Sequence, residues 1–114
     1  MKFSIEDKAK NDINLAINWL SKSTSREVAR SKIKETVYDV KNQLIAHPYS
    51  GKKCKYLPIE KYREIIKGNY RTVYKVEEYG DVLHVIIILF CHVKMEYKTL
   101  LSQSNIFIEQ PFKE

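Results

Sequence analysis

Tyr62-Arg63-Glu64-Ile65-Ile66-Lys67-Gly68-Asn69-Tyr70-Arg71-Thr72-Val73-Tyr74 is the stretch that decides the fold. β-branched and aromatic residues flank a Gly-Asn pair, and glycine accepts the positive φ that a two-residue hairpin loop needs. Residues 62–67 and 70–77 are therefore expected to pair as antiparallel strands. So short a loop also fixes the register: Ile66 falls opposite Arg71 and Arg63 opposite Tyr74, which sends the two arginines to opposite faces of the sheet.

Downstream, Glu78-Tyr79-Gly80-Asp81 reads as a second turn. Residues 82–90 then carry Val85-Ile86-Ile87-Ile88-Leu89, apolar on both alternating faces as a buried central strand should be. This run is far shorter than the roughly 20 residues a membrane-spanning helix requires, so no membrane role is expected. Upstream, the turn His47-Pro48-Tyr49-Ser50-Gly51 leads into a short expected strand at 54–57.

The first half has a helical period. Residues 2–5 alternate as a short strand with Phe3 and Ile5 on its buried side. From about residue 6 to 20, Ala9, Ile13, Ala16, Ile17 and Leu20 recur at steps of three and four, opposite Lys8, Asn11, Asp12 and Asn18. After the polar break at 21–25, Thr24-Ser25-Arg26-Glu27 has capping-box spacing. A second helix follows to about residue 46, with Ala29, Ile33, Val37, Val40 and Leu44 in one stripe, and ends at His47-Pro48 because the residue before proline is pushed out of helical geometry. The expectation is α+β: an N-terminal strand and an antiparallel helical hairpin packed on a mainly antiparallel meander sheet. A short C-terminal helix is placed at 94–101, and Asn105 to Glu114 form a tail in which Ile106-Phe107-Ile108 either packs on the domain or docks a partner.

At 114 residues, residues 1–114 are read as a single domain able to bury a core without metal or disulfide support. Lys and Arg number 20 against 14 Asp and Glu, a formal net charge of +6, which favours nucleic acid or another acidic surface as partner. A lone pair of cysteines, Cys54 and Cys91, does not resemble a secreted disulfide framework, and Met1-Lys2-Phe3-Ser4-Ile5-Glu6-Asp7 lacks a signal-like apolar stretch. A reduced, cytoplasmic setting is expected.

The ordered set Pro48-Tyr49-Ser50-Gly51, Tyr62-Arg63-Glu64-Ile65, Gly68-Asn69-Tyr70-Arg71-Thr72-Val73-Tyr74 and His92-Val93-Lys94 resembles the RelE/ParE superfamily of toxins from bacterial type II toxin–antitoxin modules, over roughly residues 2–98. The resemblance implies a cognate antitoxin that wraps the toxin. It implies one of two activities. RelE-like members cleave mRNA in the ribosomal A site without metal or other cofactor, whereas ParE-like members inhibit DNA gyrase and have no known nuclease site.

Metal-free RNA cleavage requires a base for the 2′-hydroxyl, cations for the phosphate and an acid for the leaving oxygen. The resemblance points to Arg71 at the scissile phosphate, His92 as general acid or base, Lys94 as a transition-state cation, and Tyr97 near the base or in proton transfer. Arg63, Lys52, Lys53 and Lys55 are candidate phosphate contacts. Each also has a plain structural reading: a salt bridge from Arg71 to Glu64 or Glu77, a hydrogen bond pinning the strand end for His92, packing for Tyr97, and an exposed charged loop for the lysines. His47 and His84 read as structural. Cys91 lacks an orienting base, and its adjacency to His92 does not give zinc spacing, so no metal is expected. Lys94 stands where many relatives carry arginine. The mRNA nuclease is the leading reading and gyrase inhibition the alternative. His92 separates them, because only the nuclease needs it.

Overall fold

The computed structural model describes residues 1–54 and 61–94. Lys55, Tyr97, all but the first residue of the expected C-terminal helix, the expected tail and most of the expected strand at 54–57 lie outside the described residues. Strand β1 (Lys2–Ile5) is followed by helices α1 (Asp7–Leu20) and α2 (Arg26–Ala46), then by β2 (Lys52–Lys53), β3 (Tyr62–Lys67), β4 (Tyr70–Tyr79) and β5 (Val82–His92). The sheet order is β1-β5-β4-β3-β2, with β1 parallel to β5 and the other neighbours antiparallel. The α+β expectation holds.

Both hairpin turns contain two residues with glycine first, Gly68 at φ +60° and Gly80 at φ +61°, the arrangement of a type II′ loop. Ile66 pairs with Arg71 and Arg63 with Tyr74, as the loop length dictates. The strands run further than expected: β4 reaches Tyr79 because the second turn uses only Gly80 and Asp81, and β5 reaches His92 because Cys91 and His92 still pair with Arg71 and Tyr70. At the start of α2 the cap differs from expectation. Ser25, rather than Thr24, accepts the Val28 amide at 3.1 Å, which moves Glu27 out of the capping-box position. His84 is structural as expected, its Nε2 lying 2.9 Å from Ser4 Oγ across the β1–β5 pair.

The helices cover one face of the sheet. Ala9, Val40 and Leu44 pack on Tyr74, Val76, Val85 and Ile87, while Ala16, Ile17, Ala29 and Ile33 pack on Phe90. A third cluster, Cys54, Tyr62, Val73, Ile88, Leu89 and Cys91, is buried on the opposite face. The pairing shifts between Val73 and Tyr74, which face Leu89 and Ile87, so Ile88 is the extra residue of a bulge in β5. The bulge puts Ile88 beside Leu89 in the third cluster and keeps Ile87 on the helix side, which accounts for the unbroken apolar run. Each such side chain contributes about 1.5–3 kcal/mol when fully buried.

β1 stops opposite Ile87, where the Glu6 amide makes the last strand-like bond, 3.0 Å to the Ile87 carbonyl. Beyond it, α1 takes over the edge of β5: buried Asp12 accepts the Phe90 amide at 3.2 Å and an ion pair from Lys8 at 2.5 Å. Burial raises the Asp12 pKa above its ordinary value, against the opposing influences of Lys8 and the Phe90 amide. The native state therefore binds this proton more readily than the unfolded chain, so the carboxyl adds stability as pH falls through its native pKa. Asp12→Ala is expected to cost about 1–3 kcal/mol in urea denaturation, since a buried amide loses its acceptor. Asp12→Asn keeps an acceptor but cannot titrate, so wild type should gain on it between pH 7 and pH 4; a constant gap would show that burial does not govern this group.

Candidate functional site

The expected site lies where β4 begins and β5 ends, with Tyr70 paired to His92 and Arg71 to Cys91. Alternation then separates the two leading candidates. His92 follows Tyr70 and Phe90 to the helix side, and Arg71 follows Val73 and Cys91 to the other.

His92 is largely buried, its ring centroid 4.9 Å from that of Trp19 and 5.2 Å from that of Tyr70, which meets it edge-on. Its Nδ1 accepts the Lys94 amide at 3.0 Å. A neutral ring accepting at Nδ1 carries its proton on Nε2, so this contact sets the tautomer. The imidazole borders a cavity of about 270 Å³ whose walls include Leu15, Trp19, Lys22 and Tyr70. Trp19 is 52% exposed and Leu15 57%. Neither was singled out from the sequence, although both fall outside the Ala9–Ile13–Ala16–Leu20 stripe and so mark a second apolar flank of α1. The Lys94 side chain is exposed beside this cavity's histidine, two residues along the chain.

On the opposite face Arg71 Nε lies 3.4 Å from Glu64 Oε1, and Lys52 Nζ lies 3.8 Å from Glu64 Oε2. Glu64 is only 3% exposed, so Arg71 and Lys52, both expected at phosphate, lie beside a buried carboxylate that their charge helps to neutralise, Arg71 the closer and the more buried of the two. Burial pushes the neighbouring Cys91 thiol up to about 11, with Arg71 opposing, which favours the protonated thiol at neutral pH.

Arg63 is engaged elsewhere. Its guanidinium donates to the Gly51 carbonyl at 2.8 Å and sits 5.3 Å over the Tyr49 ring. The buried Tyr74 hydroxyl donates to the Pro48 carbonyl and accepts the Gly51 amide, each at 2.9 Å. A Cβ on Gly51 would fall 2.6 Å from Tyr74 Oη and 2.7 Å from the Glu64 carbonyl, so glycine is required there by close approach. Pro48, Gly51, Arg63 and Tyr74 thus form one structural knot that ties the turn to the sheet. Lys53 is exposed next to it on the edge strand β2. Among the described residues no group of three or more His, Cys, Asp or Glu side chains could hold a metal ion, and no helix is long and apolar enough to cross a membrane.

The family model described as the ParE toxin of the type II toxin–antitoxin system parDE matches residues 3–97. Among solved structures, the fold is similar to the chain described as "Chromosomal ParDE TA system from P. aeruginosa", with a TM-score of 0.66 and 14% identity over 82% of this chain and 97% of that one. It is also similar to the "YoeB/ParE toxin from Agrobacterium tumefaciens", with a TM-score of 0.56 and 18% identity over 81% of this chain and 98% of that one. No curated protein matches the sequence.

The Glu64 contacts make Arg71→Ala a stability mutation whatever else it does. Removing the closer cation from a buried carboxylate is expected to cost about 3 kcal/mol, and Glu64→Gln in the same chain should restore most of the loss. Urea denaturation of the two single variants and the double variant measures the coupling; additive losses would show that the pair is not energetically linked.

Proposed function

The chain belongs to the ParE toxin family of type II toxin–antitoxin systems, and from that premise we propose that it arrests growth by binding DNA gyrase rather than by cleaving mRNA. As a toxin of this type it has an antitoxin partner. The observation that carries the proposal is the placement of Arg71 and His92 on opposite faces of the sheet, with Arg71 held against buried Glu64. A metal-free nuclease must bring its cation and its acid or base within hydrogen-bond reach of one phosphate. An inhibitor that acts by contact needs only a complementary surface, and Leu15 and Trp19 expose apolar area beside Lys22 in a chain of net charge +6.

One observation favours the mRNA nuclease as a second reading. The Lys94 amide fixes the His92 tautomer, leaving a proton on Nε2 in a ring that borders a cavity, and an oriented imidazole is what acid catalysis requires. Lys94 would then supply the nearby cation.

Pulse-labelling of DNA and protein synthesis after induction in a bacterium separates the two. The expected result is an early fall in DNA synthesis, inhibition of gyrase supercoiling by the purified chain, and retention of both effects in His92→Gln. An early fall in protein synthesis, lost by about 100-fold or more in a folded His92→Gln variant, would replace gyrase inhibition with RNA cleavage.

A further inference from the structure

We propose that the cavity between the last turn of α1, the start of β4 and the end of β5 binds a small aromatic anion, a flat ring that carries a carboxylate or a phosphate. Neither reading of the toxin's target requires such a ligand.

The walls select the ring. The cavity holds about 270 Å³, and Leu15, Ala16, Trp19, Tyr70 and His92 give it aliphatic and aromatic sides. Its rings brace one another: Tyr70 stacks on Phe90 with 4° between the planes, His92 stands edge-on to Tyr70, and Trp19 is tilted 54° to His92. Trp19 is held at its His92 side and is still half exposed. Its remaining surface is apolar area that a flat ligand covers, and aromatic rings pair well in offset or edge-to-face contact.

The polar groups select the anion. His92 is 9% exposed, and with Nδ1 taken by the Lys94 amide its neutral ring has one donor left, Nε2–H. That donor meets no acceptor among the described residues, and the ring borders the cavity, so an acceptor placed there satisfies it. Lys22 lines the same cavity with an exposed ammonium, and exposed Lys94 follows His92 by two residues. Asn18 turns its Oδ1 to Arg26, which leaves its amide nitrogen for a ligand. A helix C-terminus disfavours an anion, but here the carbonyls of Ile17 and Trp19 already accept the Ser21 and Lys22 amides, that of Asn18 accepts the Ser21 hydroxyl, and Lys22 and Arg26 bring opposing charge. No carboxylate lines the cavity among the described residues. An aromatic acid and a nucleoside phosphate share the chemistry that these groups recognise.

Trp19 is the single tryptophan of the chain, so intrinsic fluorescence of the full chain reports on this cavity directly. Benzoate and uridine monophosphate are titrated as probes, with benzyl alcohol and inorganic phosphate standing for the ring and the anion alone. NMR follows the ring nitrogens of the three histidines in the same titrations. The expected result is saturable quenching by at least one probe, with affinity about 10-fold or more above that of benzyl alcohol and of phosphate. The His92 Nε2 signal should shift while those of His47 and His84 stay in place. Binding should weaken about 10-fold in Lys22→Glu and little in Lys32→Glu, an exposed position of α2 that does not line the cavity. Tighter binding of benzoate assigns the site to aromatic acids, and tighter binding of uridine monophosphate assigns it to nucleoside phosphates. No binding by either probe, equal binding of benzyl alcohol or phosphate, an unmoved His92 signal, or equal losses in the two lysine variants overturns the proposal. The wild-type titrations decide it alone if Lys22→Glu does not fold, and no outcome bears on the toxin assignment.

Discussion

The two-residue loop at Gly68-Asn69 leaves β3 and β4 no freedom of register, and the rest of the molecule inherits that constraint. Side chains alternate along each strand, so a slip of one residue would exchange the faces of Tyr62, Glu64, Arg71 and Val73 with those of Arg63, Thr72 and Tyr74. Tyr74 reaches the Pro48–Gly51 turn, and Glu64 meets Arg71, only in the register that this loop imposes. The same alternation carries into β5 through the Tyr70–His92 and Arg71–Cys91 pairs, and it divides the residues that a nuclease would need to assemble.

β5 solves a second problem, that of a strand buried on both faces yet beyond the reach of β1 for half its length. The bulge at Ile88 spreads consecutive apolar residues between two clusters instead of forcing one into solvent. Past the end of β1, Asp12 acts in place of a neighbouring strand by accepting the Phe90 amide. A carboxylate is a costly acceptor in such a place. Lys8, one turn earlier on the same helix, offsets part of that cost and aligns α1 along the strand.

Much of this was legible in the sequence because it rests on local rules. Glycine-led turns, the helical stripes and the run from Val85 to Leu89 each follow from a short-range period, and the pairing of Ile66 with Arg71 followed from loop length alone. The functions of individual charged residues were less legible, since they depend on what a side chain meets across the fold. Arg63 and Arg71 were correctly placed on opposite faces, but that Arg63 would hold a turn through Gly51 and Arg71 would balance a buried Glu64 depends on contacts between separate segments. Asp12 reads as a polar-face residue of α1 and is 5% exposed, because its neighbour is an unpaired strand edge rather than water. Trp19 and Leu15 were passed over for the opposite reason: apolar residues off the main stripe carry no periodic signal.

The arrangement of two recesses bears on how such a toxin can be controlled. Among the described residues a groove beside β1 and the cavity beside His92 share no lining residue, and they lie on opposite flanks of α1, with Lys10 and Ile13 on one side and Leu15 and Trp19 on the other. Contacts made in separate places act nearly independently, so binding in the groove leaves the energetics of the cavity almost unchanged unless the occupant also reaches around the helix.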